Sequence, residues 1–399
     1  MNNLEGKRIL LGITGSIAAF KAADLASKLT QTGALVDVIL TPAAEKFISP
    51  LTFQSVTGRH AYTETDLWGG EAHVLHVGLG HSADLLVIAP CTAHTIAKLA
   101  AGQADNILTI TALASTCPLL IAPAMDGGML DHPATQENLG RLTQRGAIIA
   151  GPAEGHLASG LSGRGRMLEP EELLGHIRLV LGREGALAGR KVVVSAGGTQ
   201  EPIDPVRMLT NRSSGKQGYA LAQAALDAGA QVVLISAPTG LTPPVGARIV
   251  LVTTAEEMRD AVLQASAGAD ALIMAAAVAD FRPKRAATDK LKSREGVPQL
   301  ELEPTEDVLK AVAKGSRPRV VVGFAAESRD LEPNAAEKLR AKRLDLIVAN
   351  DITAADAGFG SDTNRVMLID ASGKVEALPL ASKADVAQAV VARVARLLE

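Results

Sequence analysis

Short apolar runs alternate along the chain with longer stretches in which Ala and Leu recur at helical spacing, and the alternation occurs twice. Arg8–Ile13 has the apolar continuity of a strand buried on both faces. Thr14-Gly15-Ser16 turns the chain, with Ser16 expected to cap a helix over Ala18–Thr30; Gly33 ends that helix and Leu35–Leu40 is the next strand. The second copy begins with a strand at Lys191–Ser195, turns at Gly197-Gly198, and runs a helix over Gln217–Asp227 and a strand over Gln231–Ile235. Leu85–Ala89, Leu119–Ala122, the run 271–279 and Val320–Ala326 read as further buried strands, with Asp280 and Glu327 at the carboxyl edge of a sheet. Strands alternating with helices predict parallel sheets covered by helices. The expected fold class is α/β: two doubly wound Rossmann-like domains, 1–189 and 190–399, joined through Gly182–Gly189 after the amphipathic helix Pro170–Leu181.

Composition narrows what such domains can do. Aromatic residues are 2% of the 399, so the cores are aliphatic and a base-stacking surface is disfavoured. A net charge of −3 without a basic cluster argues against a nucleic-acid partner. Two cysteines, Cys91 and Cys117, exclude a disulfide scaffold and a Cys-rich zinc site. The opening MNNLEGKR leads directly into a strand with no signal-like region, and the apolar runs are too short to span a bilayer, so the expected location is cytoplasmic, without a membrane partner.

The loop Gly12-Ile13-Thr14-Gly15-Ser16 would let backbone N–H groups approach a phosphate at a helix N-terminus, although a plain tight turn explains it equally well. It is neither G-x-G-x-x-G nor a P-loop, and Tyr219 is followed four residues later by Gln223, so a nicotinamide-dependent dehydrogenase is disfavoured. His73, His76 and His81 cluster, but no carboxylate or thiol completes a metal site around them. The buried strand at Leu85 ends in Pro90-Cys91-Thr92-Ala93-His94, and the one at Leu119 ends in Pro123-Ala124-Met125-Asp126. Lys338 and Lys342, four apart, share one helix face, which on spacing alone reads as solvated surface.

Taken in order, these segments resemble a family. Gly15-Ser16-Ile17-Ala18, His76, the stretch Ile88–Ala100, APAM at 122–125 and GRM at 165–167 are similar to the flavin-dependent cysteine decarboxylases. Ser195–Thr199 through Arg207, Asn211–Lys216, AAAVAD at 275–280, Lys290-Leu291-Lys292, GFAAE at 323–327 and Ala349-Asn350-Asp351 resemble the phosphopantothenate–cysteine ligases. Together they cover nearly the whole chain and resemble the bifunctional coenzyme A biosynthesis family, in which the two enzymes are fused.

The resemblance implies a flavodoxin-like flavoprotein domain followed by a ligase domain. In the first, Gly15, Ser16, Thr41, Pro90, Thr92 and Ala93 would contact FMN, with His76 catalytic. In the second, CTP and Mg2+ would activate 4′-phosphopantothenate for attack by L-cysteine, with Asn211 holding the acyl-cytidylate and Lys290 on the phosphates. Ala275, Asp280, Glu306, Asp307, Val308, Phe324, Lys338 and Lys342 match positions that bind CTP. The family also implies homo-oligomers, with trimeric decarboxylase and dimeric ligase contacts. Two departures stand out. The family's PAMN reads PAMD here, placing Asp126 where an asparagine binds the substrate carboxylate, and its ACG reads Ala158-Ser159-Gly160, placing Ser159 where a cysteine supplies a proton. Ser159 is a far weaker acid than a thiol of pKa about 8.5. Asp126, desolvated beside a substrate carboxylate, is expected to titrate higher and act as the donor. The first domain therefore reads either as a working variant or as a non-decarboxylating flavin-binding scaffold or regulatory domain.

Overall fold

The computed structural model describes residues 3–68, 74–292, 299–315, 317–327, 330–351 and 360–399. They form two compact units, one ending at Leu181 and one running from Gly182 to Glu399.

The first unit contains, in order, β1 (Arg8–Ile13), α1 (Ala19–Gln31), β2 (Leu35–Leu40), α2 (Pro50–Thr57), β3 (Ala61–Tyr62), α3 (Leu75–Ser82), β4 (Leu85–Cys91), α4 (Ala93–Ala101), α5 (Ile107–Ala114) and β5 (Leu119–Pro123). It continues with α6 (Gly127–Asp131), α7 (Pro133–Gln144), β6 (Ile148–Ile149), the hairpin β7 (Ala153–His156) and β8 (Ser162–Arg166), and α8 (Pro170–Gly182). The sheet order is β3-β2-β1-β4-β5-β6, and every neighbouring pair is parallel. Without the two-residue edge strand β3, this is the flavodoxin-like order. Ile9, Leu11 and Ile13 enter the core on one face of β1, and Leu10 enters the core on the other. Burial on both faces makes the strands continuously apolar. α1 buries Ala19, Ala22, Leu25, Ala26 and Leu29, a stripe at helical spacing.

The second unit contains β9 (Lys191–Ala196), the hairpin β10 (Gln200–Asp204) and β11 (Arg207–Thr210), α9 (Lys216–Asp227), β12 (Gln231–Ser236), β13 (Arg248–Leu251), α10 (Ala255–Ser266) and β14 (Ala271–Met274). Then follow β15 (Phe281–Pro283), β16 (Leu302–Pro304), α11 (Val308–Lys314), β17 (Val320–Glu327), α12 (Leu331–Ala341), β18 (Leu346–Asp351), β19 (Thr363–Asn364), β20 (Val366–Asp370), β21 (Val375–Ala377), β22 (Ala381–Ser382) and α13 (Lys383–Leu398). The main sheet runs β13-β12-β9-β14-β17-β18-β20-β21. Its strands are parallel as far as β18, in Rossmann order, and β20 and β21 extend it antiparallel. Gly218 on α9 lets the helix lie against β9, because an added Cβ would come 2.5 Å from the Ala196 Cβ.

Three local expectations change. Residues 275–279 do not continue β14: Ala277 N–H donates to Gly197 O (2.8 Å) and Ala279 N–H to Thr199 Oγ1 (2.9 Å), so the segment leaves the sheet as a loop. Ser16 is not the cap of α1, whose first flanking residue is Ala18; its hydroxyl accepts from Ala18 N–H at 3.3 Å within the turn. Gly182–Gly189 is not a free tether, because Leu187 is fully buried and its N–H donates to Ala228 O at 2.7 Å in the second unit.

Candidate functional site

In the first unit, the loops after β1, β2 and β4 meet at the carboxyl edge, where the strand order reverses. Buried Thr14 couples two of them. Its hydroxyl donates to Pro90 O (2.7 Å) and accepts from Thr92 N–H (3.1 Å). Thr92 in turn caps α4 by accepting from Thr95 N–H at 3.4 Å. Thr41, after β2, is buried and binds Ile13 O through its hydroxyl at 3.2 Å. Gly15, Ser16, Thr92 and Ala93 thus sit half-buried on one edge, with the N-terminus of α4 beside them. His76 is half-buried in the first turn of α3. His73, the side chain of Glu327 and residues 293–298 lie outside the described residues. Among the described residues no His, Cys, Asp and Glu side chains group as a three-ligand metal site.

The two departures from the family pattern are in direct contact. Ser159 Oγ donates to Asp126 Oδ2 at 2.7 Å, and Gly128 N–H donates to Asp126 Oδ1 at 3.0 Å. Those two donors, the hydroxyl first, hold the Asp126 carboxyl below the usual carboxylate range. The raised pKa expected for Asp126 is therefore not a property of the chain by itself. Ser159 lies in the turn of the β7–β8 hairpin, which is fixed to the Asp126 segment by Met125 N–H donating to Gly165 O at 3.0 Å. Neither cysteine takes the acid's place: Cys91 is fully buried and its thiol pushed far up by that burial, and burial also raises Cys117.

In the second unit, a cavity of about 500 Å³ opens at the carboxyl edge of β14, β17 and β18. Asn211, Ala275, Asp280, Phe324, Lys338 and Lys342 line it, as does the segment Glu306–Val308. Asn211 Nδ2 donates to Ala277 O at 3.1 Å, and Ser195 Oγ accepts from Ala276 N–H at 3.1 Å, so the apolar loop 275–279 forms one fixed wall. Asp307 caps α11 and pairs with Lys342 at 3.2 Å, while Glu306 pairs with Arg259 at 2.9 Å. Lys290 does not line the cavity. It is exposed, on a loop held through Leu291, whose N–H donates to Asp204 Oδ2 at 3.2 Å.

Comparison with known proteins assigns both halves. The family described as Flavoprotein matches residues 1–182, and that described as DNA/pantothenate metabolism flavoprotein C-terminal domain matches residues 187–398. The Coenzyme A biosynthesis bifunctional protein CoaBC of Bacillus subtilis (strain 168) is 46% identical over 397 residues, 99% of this chain and 98% of its own. The protein of the same name from Vibrio vulnificus (strain CMCP6) is 42% identical over 401 residues, covering 100% of each chain. The chain belongs to the CoaBC family of coenzyme A biosynthesis bifunctional proteins. A solved C-terminal domain of CoaBC is 39% identical over 54% of this chain and 98% of its own, with a TM-score of 0.47.

As a CoaBC protein, the chain carries two consecutive steps of coenzyme A biosynthesis, a ligation and a decarboxylation, and its first unit is a flavoprotein. The cavity also brings in residues that sequence reasoning left out as site residues: Lys216, Gln217, Asn364 and Lys383. They come from the start of α9, from β19 and from the start of α13, where a polar residue reads as an ordinary helix end or turn. Thr14 was legible only as part of a turn.

The hairpin contact gives a direct check. Gly165 has φ +140° and an added Cβ would collide with the Met125 carbonyl oxygen. Gly165→Ala should displace the β7–β8 hairpin and separate Ser159 from Asp126, so the Asp126 carboxyl, followed by NMR titration, should shift upward toward the ordinary range. An unchanged Asp126 titration would show that the hairpin does not position the pair.

Proposed function

We propose that the second unit is a CTP-dependent phosphopantothenate–cysteine ligase and the first an FMN-dependent phosphopantothenoylcysteine decarboxylase acting on its product. The observation that carries the ligase reading is the convergence of Asn211, 275–280, Glu306–Val308, Phe324, Lys338 and Lys342 on one cavity. A carboxylate oxygen of 4′-phosphopantothenate attacks the α-phosphorus of CTP and pyrophosphate leaves. The amine of L-cysteine then attacks the acyl carbon, loses a proton and displaces CMP. Asn211, oriented by its bond to Ala277 O, offers its amide to the acyl-cytidylate. Lys338 and Lys342 neutralise phosphate charge, and Lys290 on its surface loop supplies a further cation over the nucleotide. Mg2+ enters with CTP, because it keeps much of its water and needs one or two carboxylates plus phosphates. Asp280, an exposed residue of the cavity lining, is suited to that role.

The carboxyl-edge loops of the first unit fit a flavin mononucleotide. Gly15, Ser16, Thr92 and Ala93 present backbone at a sheet edge beside a helix N-terminus, and Thr14 fixes the loops relative to each other. Thr41 and Pro90 complete the group of residues that would hold it. Bound FMN supplies the redox chemistry, taking electrons from the substrate thiol and returning them after CO2 has left. His76 serves the oxidative half. Asp126 and Ser159 serve proton delivery: a substrate carboxylate beside Asp126 raises its pKa, so Asp126 takes up a proton on binding. Loss of CO2 removes the raising charge, and the Ser159 hydroxyl, 2.7 Å away, passes the proton to carbon. The relay makes the variant residues a working site rather than a scaffold.

The chain is proposed to act in the cytoplasm as a homo-oligomer, with first units in trimers and second units in pairs. Among the described residues no helix is long and apolar enough to cross a membrane. Apolar side chains left exposed on each unit, such as Ile17 and Phe20 on the first and Val206 and Phe281 on the second, support self-association.

Asp126→Ala should slow formation of 4′-phosphopantetheine and let the oxidised enethiol accumulate, detected by mass, whereas Ser159→Cys should leave the product rate unchanged or raise it. A fast Asp126→Ala variant would remove the relay. For the ligase, Asn211→Asp should cut turnover by about 10²-fold, in the range seen when an oxyanion-type donor is lost. Full activity with CTP in that variant would take Asn211 out of the mechanism.

A further inference from the structure

The ligase reading gives CTP two segments of the cavity wall that come from different elements: 275–280, which leads from β14 to β15, and Glu306–Val308, which leads from β16 into α11. Thr305 lines the same cavity and joins them. β15 and β16 pair antiparallel with Phe281 opposite Pro304, and Pro304 has no N–H to offer. The next residue supplies the link twice. Thr305 N–H donates to Asp280 O at 3.0 Å, and Thr305 Oγ1 donates to Ala279 O at 2.5 Å.

Those two carbonyls belong to the peptide units on either side of the Asp280 Cα, so one threonine holds both. Ala279 N–H is taken from the other direction by the Oγ1 of fully buried Thr199, at 2.9 Å. Ala279 is itself only 6% exposed, so its carbonyl depends on a protein donor rather than on water. The β-branch of Thr305 restricts rotation of its side chain, which keeps the hydroxyl aimed. Asp280 is exposed, and among the described residues its carboxylate has no hydrogen-bond or ion-pair partner. Its direction into the cavity is therefore set by its backbone, which Thr305 fixes.

We propose that Thr305 is a positioning residue for the nucleotide: by holding both peptide units that flank Asp280, it aims the Asp280 carboxylate and keeps it in register with Glu306–Val308. The inference rests on the ligase reading, in which Asp280 meets CTP. Thr305 acts through Asp280, and a small misplacement of such a group is enough to weaken the contact it makes.

The test uses the full chain with Thr305→Val, which keeps the size and removes the hydroxyl, and Thr305→Ser, which keeps the hydroxyl. CTP is titrated calorimetrically without other substrates, and KM is measured separately for CTP, 4′-phosphopantothenate and L-cysteine. Thr305→Val should weaken CTP binding by about tenfold and raise KM for CTP to match, with the other two KM values unchanged and Thr305→Ser close to wild type. Asp280→Ala is then measured alone and combined with Thr305→Val. Because Thr305 acts through Asp280, the double variant should bind CTP no more weakly than Asp280→Ala does. Losses that multiply, an Asp280→Ala chain that binds CTP normally, a rise in all three KM values alike, or unchanged CTP affinity in a folded Thr305→Val chain each overturn the inference. Should Thr305→Val fail to fold, Thr305→Cys, similar in size and a weaker donor, decides by the same readouts. Normal ligation by the wild type with an unaffected Thr305→Val chain would sink the Thr305 role alone. A wild type that binds CTP through Thr305 and Asp280 but releases no pyrophosphate with 4′-phosphopantothenate would sink the ligase reading and leave the positioning role standing.

Discussion

The loop 275–279 is clamped to the end of β9 and the loop after it by buried hydroxyl groups, and the ligase cavity depends on that clamp. Ser195 and Thr199 are fully buried, and their oxygens accept from Ala276 and Ala279 N–H groups at 3.1 and 2.9 Å. A chain that leaves a sheet beside its neighbour strands its backbone donors, which must be satisfied elsewhere if they stay buried. The hydroxyls satisfy them, so the small residues 275–279 can peel away and open a cavity without the loop becoming loose. Thr14 solves the same problem in the first unit by bridging Pro90 O and Thr92 N–H. In both units the sheet supplies rigidity, and a buried hydroxyl turns two strand ends into one fixed edge.

The strands and main helices were legible in the sequence because parallel strands buried on both faces must be continuously apolar, as β1, β4, β9 and β12 are. The same rule misled at Ala275–Ala279, where a loop packed against another loop is as apolar as a strand. The β7–β8 hairpin carries little periodic signal, since AEGH and SGRGR are polar and glycine-rich, and its place depends on Met125 and Gly165, far apart in sequence. Motifs located most of the ligase cavity, including Asn211, Phe324 and Lys342, because their order along the chain matched a family. Lys383 carried no such signal: a lysine opening a C-terminal helix reads as solvated until packing shows it buried.

The contact between Ser159 and Asp126 changes how the two departures from the family pattern are understood. Under the proposed function, a serine alone would be too weak an acid and an ionised aspartate alone would repel the substrate carboxylate. Together, 2.7 Å apart, they form a pair whose proton affinity depends on whether a second carboxylate is present. In the proposed relay, the carboxylate that would repel the substrate in its ionised form becomes a donor once protonated. In that relay, the low pKa of Asp126 in the free chain would favour release of the proton when CO2 departs.

We propose that one chain performs ligation and then complete decarboxylation with these variant residues. The most direct measurement is to incubate the full chain, loaded with FMN, with 4′-phosphopantothenate, L-cysteine, CTP and Mg2+, and to follow every pantothenoyl species by mass. The expected result is accumulation of 4′-phosphopantetheine, with CMP and CO2 formed in equal amount. Accumulation of 4′-phosphopantothenoylcysteine, or of the enethiol alone, would contradict it.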